Sequence, residues 1–453
     1  MMKWYKFFVW SGVIVAIGTL ISIAISQDWF LTAFTLGLYV VLLLILHRIY
    51  NLLNWIDPTV LFVVSYVTFI GVGIPFIGYY DFVLAPSVLF AILLGLAAFS
   101  AGAITFDALV FRPGRIKIRY SISIISVPRR GEIGWAWAFF VVGALILLYY
   151  YYRVGTVPLL AEDAENVRVT VKAGLGYLPI LAYAFLTTST ISITTLATKE
   201  LSISPLFAIV ISCIGALLLV GIGYRAPALI LLLNVFIVYL YIKYQRIPLK
   251  WLLISGLFMI TIIGLLGYLR LESELVTSIS MILRLGIWRL FVNNLYVLNL
   301  IYDLFPVSEP HMLGMSYLID IKTLLPGYQP HFGFWLKERL GLEFAGGGVT
   351  QTIVGELFIN WGWIGIIVGM FTMGIVFRIL YHALTKDRLL SVPRFVLLVL
   401  LSTSLMGIIS SGLVLVLLFD TLPLVAVFII YRFCIRITQS WLHQNRAFAI
   451  TVD

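Results

Sequence analysis

Charge is what this sequence has least of. Only 11% of its 453 residues are Asp, Glu, Lys or Arg, too few to solvate a water-soluble domain of this length, and a soluble enzyme is excluded. Cysteine is almost absent. Cys213 and Cys434 are the only two, both inside apolar runs where a thiol behaves as a small hydrophobe, so neither a disulfide nor a thiolate metal site is expected. The sequence also lacks a Walker loop, a zinc-like His/Cys cluster, a nucleophile elbow and an Asp-x-Asp metal pair. ATP hydrolysis is therefore not expected, and a reaction without metal or cofactor is the simpler expectation. No repeat of roughly 20–50 residues and no low-complexity tract is present. The missing second half disfavours a transporter built from two related bundles.

Apolar residues fill the space that charge leaves. They make up 62% of the chain, aromatics 15%, and the mean hydropathy is +1.08. Runs of about 20 residues recur along the whole length, each long enough to cross a hydrocarbon core as a helix. The reading is an all-α integral membrane protein with about twelve spans, starting near residues 6, 30, 60, 86, 134, 178, 204, 226, 251, 353, 395 and 414. The net charge of +10, from 30 basic and 20 acidic residues, is read as topology rather than as a nucleic-acid footprint. With the amino terminus inside, the basic residues on the outer side are Arg153, Arg168, Lys172, Arg225, Arg270, Arg284, Arg289, Lys322, Lys337 and Arg339. The remaining two thirds fall in cytoplasmic segments, as the positive-inside rule requires, and both termini are then cytoplasmic. The first run ends in Ala24-Ile25-Ser26, faintly like a signal-peptide cleavage site, but it is longer than an h-region and is read as an uncleaved anchor.

Residues 281–301 are apolar enough to span yet carry Arg284, Arg289, Asn293, Asn294 and Asn299. Crossing would turn Arg378, Lys386, Arg388 and Arg394 outward, so the charge rule places this stretch in the outer interface or as a re-entrant helix. Three stretches are read as non-spanning: a basic cytoplasmic linker at 107–133, an outer loop at 153–177 and a large extracytoplasmic region at 270–350.

Charges at membrane depth are costly, which makes them candidates for function unless they snorkel to the headgroups. Arg225 follows Tyr224 in a tight turn between two spans, and Arg270 ends another span. Arg284 and Arg289 lie on the 281–301 helix and Arg168 on the 153–177 loop. Guanidiniums gathered on one side suit forked hydrogen bonds to a diphosphate, the alternative being contacts with anionic lipid. In Gly346-Gly347-Gly348-Val349-Thr350-Gln351-Thr352-Ile353-Val354-Gly355-Glu356, followed by Asn360 and Gly362, the residues Thr352, Glu356 and Asn360 share one helical face. A carboxylate there suits a base or a sugar-orienting group, with packing against an arginine as the alternative. His331, beside aromatics in the large outer region, is a second candidate base, although a lone loop histidine is more often only hydrogen-bonded. Glu272, Glu274, Glu309, Asp320 and Glu343 are further outer carboxylates without a distinguishing context. Asp420, inside the last span, is read as a local cap or pair.

Three patterns then coincide: Gly155-Thr156-Val157-Pro158-Leu159-Leu160 with Arg168 and Gly174-Leu175-Gly176-Tyr177; the Tyr224-Arg225 turn; and the glycine-rich lead into Gly355-Glu356 with Asn360 and Gly362. Over roughly residues 150–385 they resemble the Wzy-type oligosaccharide repeat unit polymerases. The resemblance implies a GT-C-like membrane glycosyltransferase at the bacterial cytoplasmic (inner) membrane, with its active site facing the periplasm or cell exterior. It would transfer a growing glycan from undecaprenyl diphosphate to the non-reducing end of a new lipid-linked unit, with membrane lipids and a chain-length-regulating co-polymerase as partners and no nucleic acid. Arg225 and Arg270 would bind the leaving diphosphate, backed by Arg168, Arg284 and Arg289. Glu356 or His331 would help the attacking hydroxyl, and Thr352, Asn360 and Tyr224 would contact sugar. An O-antigen ligase-like enzyme and a lipid-linked oligosaccharide flippase remain as alternatives.

Overall fold

The computed structural model describes residues 56–80, 82–110, 123–124, 131–161, 175–199, 204–244, 260–265, 279–325, 329–343, 347–386 and 389–450, with isolated positions 37, 40, 44 and 167. These residues form an almost entirely helical protein, whose strands are a two-residue parallel pair, β1 (Ser123–Ile124) with β2 (Leu389–Leu390). The first helices are α1 (Pro58–Tyr66, continued by a π-turn Val67–Gly71), α2 (Pro86–Val110), α3 (Glu132–Val154), α4 (Tyr177–Lys199), α5 (Pro205–Val220) and α6 (Arg225–Tyr244). There follow α7 (Ile279–Ile287), a π-turn Trp288–Val292, α8 (Asn293–Leu304), α9 (Met315–Lys322), α10 (Phe332–Arg339) and α11 (Ile353–Thr385). The chain then runs through α12 (Val392–Met406), α13 (Ile408–Ser411), α14 (Leu413–Val416), a π-turn Leu417–Thr421 and α15 (Leu422–Ile450).

Eight helical runs among the described residues are long and apolar enough to cross a membrane: Pro86–Val110, Glu132–Val154, Tyr177–Thr198, Ala226–Tyr244, Ser280–Leu304, Ile353–Thr385, Val392–Ser411 and Leu413–Trp441. Seven coincide with expected spans. The spans expected near 60 and 204 are the shorter apolar helices Pro58–Gly71 and Pro205–Val220. Those near 6, 30 and 251 lie largely outside the described residues, as do most of the 107–133 linker and about half of the 153–177 loop. The Ser280–Leu304 run, read above as an outer interfacial or re-entrant helix, is long and apolar enough to cross a membrane, the π-turn carrying the helix through its polar residues without a break. Its Asn side chains are used internally: Asn299 Oδ1 accepts from Ala85 N at 2.8 Å and Asn294 Nδ2 donates to Phe69 O at 3.4 Å. Buried amides paired in this way no longer oppose burial in lipid or protein.

Two apolar cores organise the helices. One is built from α3, α4, α5, α6, α12 and α15. α4 is its centre although its middle is polar. Thr190, Ser192, Thr194 and Thr195 are buried, yet each hydroxyl donates to the carbonyl four residues earlier at 2.7–2.8 Å. That back-bonding satisfies the hydroxyls within the helix. The second core is built from α1, α2, α8, α10 and α11. α2 and α11 approach almost to backbone contact, with Gly102 against the Phe371 carbonyl and Gly374 against that of Phe99, the small-residue packing on which membrane helices rely.

At one end of this second core the buried guanidinium of Arg378 is held by Asp57, the N-cap of α1, at 2.8 Å and by Asp107 of α2 at 3.0 Å. His382 lies 3.0 Å from the same Asp107 oxygen and 3.1 Å from Arg378 Nη2. A fully buried charge survives in apolar surroundings only with such partners, so this cluster fixes the register of α1, α2 and α11.

Candidate active site

α11 is not one straight rod. Trp361 (φ −139°, ψ 17°) and Gly362 (φ 60°, ψ −145°) leave helical geometry, and glycine alone holds the second conformation without cost. Beyond them the chain doubles back. The Cβ that Gly95 lacks would meet both Val354 and Met370, at 3.3 and 3.6 Å, residues that a straight helix would hold about 24 Å apart. A short limb, 353–360, therefore lies antiparallel against the long limb 363–385. The sequence reading placed Glu356 in the opening turns of a spanning helix. It sits instead on a re-entrant limb, which brings it alongside the long limb.

The short limb starts at Thr352, whose Oγ1 accepts from Gly355 N at 3.2 Å while its backbone takes φ 56° and ψ 159°. This is a region nearly closed to β-branched residues, and such strain persists only where the surroundings impose it. One turn on, Glu356 is fully buried. Its Oε2 accepts from Leu413 N at 2.6 Å, and Gln351 Nε2 lies 3.5 Å from Oε1. Leu413 N is available because Gly412 (φ 88°) breaks the helix between α13 and α14, exposing the first amides of the next segment. The carboxylate thus caps a helix broken within the apolar interior.

The other side of the site is strapped to the hairpin tip. Met312 N and Leu313 N donate to the carbonyls of Ile359 and Asn360 at 2.9 and 3.0 Å. Asn360 Oδ1 accepts from Gly314 N at 2.8 Å, while its Nδ2 donates to Ser316 Oγ at 2.6 Å and to Glu356 O at 2.8 Å. α9 then lays Ser316, Tyr317 and Asp320 towards the short limb. Asp320 is fully buried; Oδ1 accepts from Phe332 N, at the start of α10, at 2.7 Å. Burial pushes its carboxyl up to about 6, with the Phe332 N–H pulling the other way. Burial first, then the charge of Glu356, pushes the Tyr317 phenol up. Asp320 likewise stands within electrostatic reach of Glu356.

The remaining sequence candidates are distributed around the protein. Thr352, Glu356 and Asn360 do come together, but Thr352 caps the limb and Asn360 holds the strap. His331 caps α10, its Nδ1 accepting from Gly333 N at 3.1 Å and its ring against Phe334. It adjoins the Phe332 amide that Asp320 holds. Arg284 is exposed, its guanidinium 4.7 Å from the Tyr79 ring centre, and Tyr80 Oη donates to its carbonyl at 2.7 Å. Arg289 is also exposed, on the adjoining π-turn. Tyr224 packs in the other core beside Tyr150, and Arg225 opens α6, its side chain lying outside the described residues. Two of the quoted patterns meet there: Leu159 N donates to Gly221 O at 3.1 Å, and Tyr151 Oη to Leu218 O. Arg168 and Arg270 lie outside the described residues. Glu309 pairs with Arg339 at 3.2 Å.

Sequence reasoning gave Asp320 no distinguishing context and passed over Gln351 and the Gly412–Leu413 break. A signal for the first existed: Ser316, Tyr317 and Asp320 share one face of a short helix behind Gly314. Among the described residues no group of three or more His, Cys, Asp or Glu side chains is arranged to hold a metal ion.

The arrangement offers buried acceptor oxygens with fixed geometry, suited to taking a proton from a hydroxyl or orienting a sugar, and unsuited to an anion. No curated protein and no solved structure matches the chain. A family model does, that described as "Putative O-antigen polymerase", over residues 58–420. That range takes in the second core, the first except for α15, the re-entrant hairpin and the Gly412 break, and the chain belongs to this O-antigen polymerase family.

Proposed function

We propose that this membrane enzyme joins oligosaccharide repeat units carried on undecaprenyl diphosphate, at the outer face of the bacterial cytoplasmic membrane, without a metal ion. The observation that carries the reading is Glu356: a carboxylate enclosed in a re-entrant hairpin, aimed by the Leu413 amide and the Gln351 side chain. In the family's reaction, on lipid-linked oligosaccharides, an acceptor hydroxyl attacks the first sugar of the growing glycan. The new glycosidic C–O bond forms as the bond to the lipid diphosphate breaks, the diphosphate leaves with that electron pair, and Glu356 receives the hydroxyl proton. Preorganised acceptance of that proton lowers the barrier.

Arginines serve the departing diphosphate: Arg225 and Arg270 first, with Arg168, Arg284 and Arg289 behind them. Asn360 and Thr352 hold the limb that carries Glu356. The lipid tails enter sideways between helices, and the region 270–350 covers the sugars and selects the acceptor. A chain-length-regulating co-polymerase binds elsewhere on the protein.

The test is synthesis by the purified protein from its authentic lipid-linked repeat unit, with chelator and without ATP. The wild type is expected to give a ladder of glycans, lost in folded Glu356→Gln and Arg225→Ala. Movement of the lipid across vesicles with no ladder would replace the polymerase by a flippase. Transfer of finished glycan to a different acceptor would replace it by a ligase.

A further inference from the structure

Three buried polar atoms near Glu356 have no hydrogen-bond partner: Asp320 Oδ2, Gln351 Oε1 and the Tyr317 hydroxyl. They come from two separate segments. Asp320 and Tyr317 lie one helical turn apart on α9, and Gln351 leads into the short limb of α11. Asp320 and Gln351 are fully buried. Each side chain makes one bond within the protein, Asp320 Oδ1 accepting from Phe332 N and Gln351 Nε2 donating to Glu356 Oε1, which leaves Asp320 Oδ2 and Gln351 Oε1 free. Tyr317 stands beside the Asn360 side chain, whose amide is bonded to Ser316, Gly314 and the Glu356 carbonyl. Buried polar atoms are nearly always paired, and several unpaired ones around a single group mark a place built for a ligand.

The chemistry of the three specifies what that ligand is. Asp320 Oδ2 and Gln351 Oε1 accept, as do the Glu356 oxygens, while Tyr317 supplies a phenolic donor. Neither Asp320 nor Glu356 forms an ion pair among the described residues. Two uncompensated carboxylates repel a diphosphate and favour a neutral group rich in O–H donors. Adjacent hydroxyls of a sugar ring meet this pattern, each donating to one acceptor while one of them accepts a hydrogen bond from the phenol at a free lone pair. Trp361, packed 5.5 Å from Tyr317 and 41% exposed at the hairpin tip, supplies an apolar face beside them, of the kind on which sugar rings stack.

We infer that Tyr317, Asp320 and Gln351 form the acceptor-sugar subsite of the transfer reaction, binding ring hydroxyls beside the one that Glu356 deprotonates, and that the donor's diphosphate is bound away from them. This rests on the polymerase reading above. Asp320 is bifunctional in it: Oδ1 fixes the start of α10 and Oδ2 meets the sugar.

Two probes separate the sides of the reaction. One is the repeat-unit oligosaccharide without its lipid diphosphate, which can be extended but cannot donate. The other is the lipid-linked unit with its acceptor hydroxyl removed, which can only donate. Asp320→Asn keeps an oxygen for Phe332 N and so preserves the fold, and Tyr317→Phe keeps the ring against Trp361. Loss of a charged hydrogen bond is expected to raise the acceptor KM roughly 10- to 100-fold in Asp320→Asn, and loss of a neutral one roughly 3- to 10-fold in Tyr317→Phe. The donor KM stays within about two-fold. Binding of the acceptor probe is also expected to quench tryptophan fluorescence, at higher concentration in both variants. Donor and acceptor KM rising together, or kcat falling with both KM values unchanged, would overturn the subsite. If the wild type polymerises intact lipid-linked units but neither binds nor extends the acceptor probe, the subsite fails and the polymerase stands. If it converts no substrate at all, the polymerase reading is what has failed.

Discussion

Gly365 is the residue whose replacement tests the hairpin most directly. A Cβ there would sit 2.3 Å from the Leu357 carbonyl oxygen and 3.0 Å from Trp361 Cβ. The first obstacle is backbone on the very limb that carries Glu356, one residue away. Relief to even a 3.0 Å contact requires moving that limb by about 0.7 Å, since neither helix can yield by rotating a side chain. A displacement near 1 Å at a reacting group costs on the order of 100-fold in rate, whereas the overpacking itself costs only about 1–3 kcal/mol of stability. Gly365→Ala is therefore expected to insert and fold while its glycan synthesis falls about 100-fold. The control is Gly369→Ala. Its Cβ would meet Leu357 Cδ2 at 2.4 Å, the mobile end of a side chain, and the expected loss is under about 10-fold, restored by adding Leu357→Ala. Activity is read as ladder formation by purified protein, and integrity by monodispersity in detergent. Folded Gly365→Ala with half the wild-type rate or more would refute the fold-back of the short limb or the role of Glu356 on it.

Arg378→Met leaves Asp57 and Asp107 buried without their cation and is expected to cost about 3–5 kcal/mol, measured by steric trapping in bicelles; adding Asp57→Asn and Asp107→Asn should recover most of it. Thr352→Gly relieves the φ 56° backbone and surrenders a cap that glycine replaces almost as well, so a gain of about 1 kcal/mol is expected together with slower synthesis; a loss of stability would contradict the strain. Asp320 titrates from 3.8 towards about 6 in the folded protein, so its stabilising contribution is complete below about pH 3.8 and is lost as pH rises through about 6. Asp320→Asn should accordingly become more stable relative to wild type across that window, by on the order of 3 kcal/mol in unfolding titrations of ligand-free protein. A difference independent of pH would remove the buried-carboxylate account.

Most of the fold was legible because apolar length is a direct signal: a run such as 86–110 has no alternative to a helix once it must satisfy its amides in lipid. The re-entrant hairpin was not legible. Leu357 to Trp363 reads as uninterrupted apolar helix, and the fold-back depends on one positive φ at Gly362 and on Gly365 and Gly369 admitting Leu357, features that hydropathy averages away. For 281–301 the charge rule counted Arg378 as a loop charge, whereas it is buried between Asp57 and Asp107, and hydropathy gave no sign that Asn294 and Asn299 have partners inside the protein. Glu356 was legible as a costly carboxylate, and Asp320 was missed because burial on a short helix leaves little periodic signature.

The hydrogen bond from Leu413 to Glu356 also sets a timetable for the ribosome and the translocon. Its donor is made 57 residues after its acceptor, a delay of roughly 3–11 s at ordinary elongation rates. A limb of eight residues is too short to partition into the bilayer by itself, so the 353–360 segment has to wait near the insertion machinery until α12 and the Gly412 break have followed. Asp57 waits longer, 321 residues before Arg378 emerges. Nascent chains halted before about residue 413 would hold most of the membrane helices but leave Glu356 without its Leu413 donor, and quality-control proteases would meet them with a bare carboxylate on an unsupported limb.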